Sequence, residues 1–347
     1  MSIYHDNGYV NIPWIYQRGI TWQAITGGRA TGKTFGALQM VVDDHIPFIY
    51  LRRMQAQADL INKPDFSPFR SINTARGWNI STVPVTKYNA AFYQMEADEN
   101  GKLHPAGDPL GYTGALSTLS NLRGFDASRV ELLIYDEFIP ERHERPLKHE
   151  FDALANAYET INRNRELQGR PPLRVMLLSN ANMIGNPVFV GLNLVKRAVR
   201  MEQTGTELWE DKQRGIGLYM LQNSRISKAK QNTALYKLTA GSRFSDMALN
   251  NEFAEDRSST VIRSRKLTEL APLVNVGELS LYEVKAESGL LYACTHKSGS
   301  APNYEMTDTD LLRIRRVYAW ILLAYLDGRV ECEDRLSESL LQSVFNI

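Results

Sequence analysis

The run Gly27-Gly28-Arg29-Ala30-Thr31-Gly32-Lys33-Thr34 sets glycines, an ammonium side chain and a hydroxyl at the spacing of a Walker A phosphate loop. Glycines let successive backbone N–H groups turn inward around phosphate oxygens. Lys33 reaches the outer phosphates as a point charge, and Thr34 offers its hydroxyl to Mg2+. The chemistry this permits is binding of ATP with magnesium at a helix amino terminus. A second run, Leu132-Leu133-Ile134-Tyr135-Asp136-Glu137, is apolar until it ends in two adjacent carboxylates, the Walker B form. Asp136 can join Thr34 in the magnesium shell. Glu137, one step on, can polarise a water as general base, which points to hydrolysis and not to binding alone.

Two further groups can complete such a site. Asn180 follows an aliphatic run at 174–178, where a neutral amide can touch the γ-phosphate or orient water; an ordinary turn or cap asparagine suits the same place. Arg163 and Arg165 follow a helical stretch, and either can act as an arginine finger on a neighbouring subunit's ATP or simply favour a helix carboxy terminus.

These groups converge only if the first motif joins a strand to a helix and the second ends a nearby buried strand. Residues 23–26 read as that strand, 35–42 as the helix, 48–51 as the next strand after Pro47, and 132–135 as the buried strand. Between them lie a β-like pair at 78–85 and 90–96 and a strand near 115–119. Leu147, Phe151, Leu154, Ala155, Tyr158 and Ile161 recur at helical spacing over 147–162, before Pro171 and Pro172 break the pattern.

Strands alternating with helices predict an α/β domain over 1–200 with a mainly parallel sheet and flanking helices. Residues 201–239 turn polar, lose periodicity and read as a linker or small subdomain. Residues 240–347 read as a second, smaller domain with a hairpin, 279–286 and 290–295, and a helix opened by Thr307 and Asp310 that ends near Asp327-Gly328. Arg313, Arg315 and Arg316 on that helix form either a basic patch or its wet face.

A chain of 347 residues, 43% hydrophobic, exceeds the usual single-domain size. Its 40 basic and 39 acidic residues nearly cancel, so any contact with nucleic acid must come from local patches. Cys294 and Cys332 supply neither a disulfide framework nor a zinc spacing and suit a reducing interior. With no signal-like amino terminus and no apolar run of about 18 residues, a soluble protein with no membrane partner is expected.

The phosphate loop, Phe48-Ile49-Tyr50-Leu51-Arg52-Arg53, Tyr135-Asp136-Glu137-Phe138-Ile139, Asn162-Arg163-Asn164-Arg165-Glu166 and Leu178-Ser179-Asn180-Ala181 together resemble, in order and spacing, the terminase-like DNA-packaging ATPases of small tailed phages of the phi29 type. The likeness covers most of residues 1–200; the second half matches in size and coarse pattern. It implies a P-loop NTPase of the additional-strand catalytic-glutamate type, followed by a degenerate, RNase H-like nuclease domain of α/β class. It further implies a homomeric ring, a pentamer, seated on the portal (connector) at the capsid vertex and pumping double-stranded DNA inward, in some members with a packaging RNA.

By this likeness Arg163 is the better trans finger, and Arg123 stands where the family carries a basic residue that acts in trans or grips phosphate, though a solvated loop arginine fits equally. Glu283 and Asp327 form no acidic cluster, so no nuclease activity is expected. The expected location is the host cytoplasm, transiently on the procapsid, and not the mature virion. Contacts of a motor with DNA should be phosphate-directed and salt-sensitive. The same motifs also suit a helicase-like ATPase or a small-molecule kinase, although no acceptor motif is present. They suit an ATP-gated assembly protein as well, against which Glu137 argues.

Overall fold

The computed structural model describes residues 2–122, 127–140, 147, 149–180, 184–239 and 264–345. The chain passes through α1 (Ile12–Tyr16), β1 (Trp22–Gly27), α2 (Lys33–Asp43), β2 (Phe48–Arg52), α3 (Gln55–Ile61), α4 (Arg70–Arg76), β3 (Ile80–Pro84), β4 (Ala90–Ala97) and β5 (Leu103–Ala115). It continues with β6 (Leu132–Asp136), α5 (Glu150–Asn162), β7 (Arg174–Ser179), α6 (Pro187–Gly191), α7 (Val195–Thr204), β8 (Leu208–Asp211), β9 (Ile216–Leu221), α8 (Arg225–Lys230) and α9 (Ala234–Leu238). Two compact units result, Met1–Asn182 with Met201–Glu252, and Met183–Arg200 with Phe253–Ile347.

In the first unit the strands form one mixed sheet in the order β3-β4-β5-β2-β6-β7-β1-β9-β8. Every pairing from β5 across to β9 is parallel, while β3, β4 and β8 close the edges antiparallel. Strands covered on both faces read as continuous apolar runs, and β6 and β9 are buried at every position. Phe48, Phe69 and Phe92 pack together on one side, with ring centroids 5.0 to 6.4 Å apart. Polar groups also hold the core. Arg53 and Glu150, 1% and 0% exposed, form a two-pronged pair at 2.9 and 3.0 Å, and the Tyr135 hydroxyl donates to the same carboxylate at 2.6 Å.

Three expectations differ from the structure. The strand expected at 115–119 is β5, ending at Ala115, and a 3-10 turn, Leu116–Leu122, takes its place. Pro105, Gly107, Pro109, Gly111 and Gly114 look like turn residues and hid the strand. Gly111 is there because a side chain would come within 2.5 Å of the Phe48 ring. Residues 201–239 contribute two strands of the first sheet, with β9 lying along β1 from Trp22 opposite Ile216 to Gly27 opposite Leu221. The single late helix is two helices that meet at Tyr318.

The second unit contains β10 (Leu270–Val276), β11 (Leu279–Val284), β12 (Leu291–Cys294), β13 (Asn303–Tyr304), α10 (Asp308–Val317), α11 (Ala319–Leu326), β14 (Val330–Cys332) and α12 (Arg335–Phe345). Its sheet runs β13-β10-β11-β12-β14. The expected hairpin is β11 and β12, paired antiparallel, and the Thr307 side chain accepts the Asp310 N–H at 3.3 Å to cap α10. Among the described residues no helix is long and apolar enough to cross a membrane.

Candidate nucleotide-binding site

β1 stops at Gly27 between β7 and β9, and α2 begins at Lys33, so the intervening loop turns at the carboxyl end of the parallel strands, where open α/β sheets bind ligands. Its backbone enters the left-handed region at Ala30 (φ 59°) and Gly32 (φ 91°). At Gly32 a side chain would also meet the Tyr9 ring at 3.0 Å, so conformation and space both demand glycine. Turns of this kind gather backbone N–H groups into an anion-binding concavity. From within, the Thr31 hydroxyl fixes the loop by donating to the Gly28 carbonyl at 3.0 Å.

Lys33 is 7% exposed. Its Nζ donates to the Gly27 and Gly28 carbonyls at 3.0 and 2.9 Å, and to Thr31 Oγ1 and Asn180 Oδ1, each at 3.3 Å. Burial pushes its pKa down to about 8, against the opposing pull of the Asp136 charge. An ammonium held among neutral oxygens in a polar cavity is placed to gain from an incoming anion.

Opposite, Thr34 Oγ1 donates to Asp136 Oδ2 at 3.0 Å, and the Tyr50 hydroxyl donates to the same oxygen at 2.5 Å. Burial raises the Tyr50 phenol well above its ordinary pKa, so it remains a donor. A hydroxyl beside a carboxylate oxygen at the foot of a phosphate cradle is the donor set that magnesium takes alongside a nucleotide, and these residues fit the ion. Glu137 follows in the left-handed region (φ 56°), with its N–H donating to the Leu178 carbonyl at 2.7 Å. Its carboxylate pairs with Arg52, whose other terminal nitrogen lies 3.5 Å from Asp136 Oδ2.

A cavity of about 420 Å³ is lined by residues 29–34, Asp136, Glu137 and Asn180 together with Phe35, Pro68, Ser71 and Ser179. The structure therefore brings together Arg29, Ala30, Thr31, Gly32, Lys33, Thr34, Asp136, Glu137 and Asn180, with Gly27 and Gly28 behind them as acceptors for Lys33. Arg163 stands apart, exposed at the end of α5 with φ 48°. Arg165 is 4% exposed and donates to the carbonyls of Ala127, Ser128 and Val130, so it secures the approach to β6. Arg123 and Ala181 lie outside the described residues.

On α10, Arg313 and Arg316 are exposed, whereas Arg315 donates to the Ser343 and Val344 carbonyls at the end of α12. Tyr50 and Arg52 gave no signal of their own, because their contacts to Asp136 and Glu137 span 84 to 86 positions of sequence. Their only trace was membership of the run Phe48 to Arg53 that carried the resemblance.

Comparisons with known proteins return phage DNA packaging proteins. The chain is 31% identical over 189 residues to the DNA packaging protein of Bacillus phage B103, a match that covers 52% of this chain and 54% of that protein. It is 27% identical over 186 residues to that of Bacillus phage phi29, covering 52% of each. The match thus spans about half the length of these curated relatives.

Among solved structures, the Phi-28 gp11 DNA packaging motor superposes with a TM-score of 0.64 at 19% identity over 99% of both chains. The bacteriophage Phi-29 viral genome packaging motor assembly does so at 0.61 and 18%, again over 99% of both. At such identities the likeness is one of fold. The family description "Podovirus DNA encapsidation protein (Gp16)" fits residues 11–316, a stretch that holds the phosphate loop, both carboxylates and Asn180, and the chain accordingly belongs to that family.

Proposed function

We propose that the protein is an ATP-hydrolysing motor that moves double-stranded DNA into a preformed capsid. The observation that carries this reading is the convergence of Lys33, Thr34, Asp136, Glu137 and Asn180 on one cavity at the end of β1, β6 and β7. Family membership supplies the biological setting. The loop N–H groups and Lys33 bind the phosphates, and Thr34 with Asp136 would hold magnesium, which when bound offsets charge on the transferring phosphoryl group. Glu137 takes the proton of the attacking water once its carboxylate is released from Arg52. Asn180, already within hydrogen-bond distance of Lys33, senses the γ-phosphate.

In the same reading the subunits form a ring, a pentamer, at the portal vertex, and Arg163, exposed at the end of α5, completes the neighbouring subunit's site. Location in the host cytoplasm and on the procapsid, and use of a packaging RNA, belong to this proposal too. The second unit is read as a degenerate nuclease of RNase H type with a binding role. Among the described residues no group of three or more His, Cys, Asp or Glu side chains is disposed to hold a metal. Purified protein with ATP and double-stranded DNA tests the motor. DNA should stimulate phosphate release, and Lys33→Ala should abolish it. Turnover indifferent to DNA in assembled rings would refute translocation, and a phosphorylated acceptor in place of free phosphate would favour a kinase.

A further inference from the structure

The phosphate loop is held from outside its own motif, by two segments far apart in sequence. Val10 N–H donates to the Thr31 carbonyl at 3.0 Å, and the Tyr9 ring lies against Gly32. From the other end of the unit, Lys230 at the close of α8 sends its ammonium to the Arg29 carbonyl at 2.8 Å, a contact spanning 201 positions. α8 is fixed in turn to the amino-terminal segment. The Ser224 hydroxyl donates to the Gly8 carbonyl at 3.1 Å, and a side chain on Gly8 would come within 2.8 Å of Arg225 Cβ.

What Lys230 does follows from the planarity of one peptide unit. In a trans peptide the carbonyl of one residue and the N–H of the next point in opposite directions, and the described chain has no cis peptides. Drawing the Arg29 carbonyl toward α8 therefore turns the Ala30 N–H the other way. Ala30 lines the cavity and sits in the left-handed conformation that nests require. A charge-assisted bond to a backbone carbonyl is strong enough to hold that peptide against rotation.

We infer that Lys230 is a positioning residue for nucleotide binding: its bond to the Arg29 carbonyl presets the Ala30 N–H toward the phosphates of a nucleoside di- or triphosphate. The inference rests on the reading of the cavity as an ATP site. It assigns to α8, a segment beyond the Walker motifs, a part in forming the cradle. Burial and the neighbouring Arg29 charge both lower the Lys230 pKa, consistent with an ammonium turned inward among cations that together favour an anionic ligand.

The test is calorimetric titration of the full chain with ATP and with ADP, beside steady-state phosphate release. Lys230→Ala should weaken both nucleotides about tenfold, in line with loss of a hydrogen bond to a charged group. KM should rise accordingly while kcat at saturation stays within about twofold, since the residue acts on a loop that the ligand itself finishes ordering. Lys230→Arg, which keeps a donor and the charge, should recover most of the affinity, and Lys230→Met should not. Unchanged affinity in Lys230→Ala, a fall in kcat as large as that in kcat/KM, or equal losses in the Arg and Met variants would overturn the inference. Wild-type chain that binds no ATP would overturn this inference and the motor reading together, whereas tight wild-type binding lost in Lys33→Ala but kept in Lys230→Ala overturns this inference alone.

Discussion

Arg52 is paired with Glu137, so the proposed general base is engaged by a cation. The same guanidinium reaches within 3.5 Å of Asp136, and a carboxylate held there has its charge offset before any water is activated. Glu137→Gln should cut turnover by about 10²- to 10⁴-fold, the usual weight of a general base, and leave ATP binding intact. Because the two side chains touch, Arg52→Ala and Glu137→Gln should not add: removing Arg52 after Glu137 is already glutamine should cost little more. Phosphate release by the two single variants and the double variant measures this, and additive losses would show that the pair does not act as a unit.

The two arginines after α5 should separate cleanly. Arg165→Ala removes the side-chain donor to the Val130 carbonyl, while the Ala127 and Ser128 carbonyls keep the Val130 N–H and Arg170, so it should lower stability by about 1–3 kcal/mol, read as a shifted denaturation midpoint. Arg163→Ala, at an exposed position, should cost less stability than Arg165→Ala. It should nonetheless lower turnover about 10³-fold or more in assembled rings if it serves in trans. Assembled-ring turnover unaffected by Arg163→Ala would remove the finger from the proposal.

Arg53 and Glu150 are both essentially removed from water, and neither can lose its partner cheaply. Arg53→Met or Glu150→Gln alone should destabilise the first unit by about 3–5 kcal/mol, and the combined Arg53→Met, Glu150→Leu variant should recover part of that loss. Urea unfolding followed by tryptophan fluorescence is the measurement. A double variant as unstable as the sum of the singles would contradict the argument.

Glu210 supplies an acid-dependent term. Burial alone would raise its pKa, but the Arg18 guanidinium and the Tyr219 hydroxyl, donating at 2.8 and 2.6 Å, hold it below the ordinary 4.5. Below that value the unfolded chain binds the proton first. The stabilisation is therefore complete above about pH 4.5 and drains away as pH falls through the folded-state pKa. Glu210→Gln should be less stable than wild type near neutrality, and the gap should narrow in acid. Parallel unfolding curves at all pH values would rule this out.

The phosphate loop and the paired carboxylates were legible because their chemistry is written in consecutive residues, and the strand before each motif is short and apolar. Asn180 was legible as a polar stop after a strand, though its contact with Lys33 crosses 147 positions. Tyr50 and Arg52 were opaque for a similar reason. Nothing about an aromatic or a cation at the end of a strand says which acid it will meet. β9 was overlooked although Ile216 to Leu221 is wholly buried, because the polar residues around it masked a run of six. β5 was displaced because prolines and glycines that signal turns also occur where a strand must make room for a phenylalanine.

The seam between β1 and β9 bears on how this protein can be cut. A fragment ending at residue 200 would keep both Walker motifs yet leave Trp22–Gly27 with one flank bare of its six partners. Such an edge, apolar and hungry for main-chain bonds, glues molecules to one another. A piece carrying the phosphate loop therefore needs β9 beside β1, and one cut at residue 200 should aggregate.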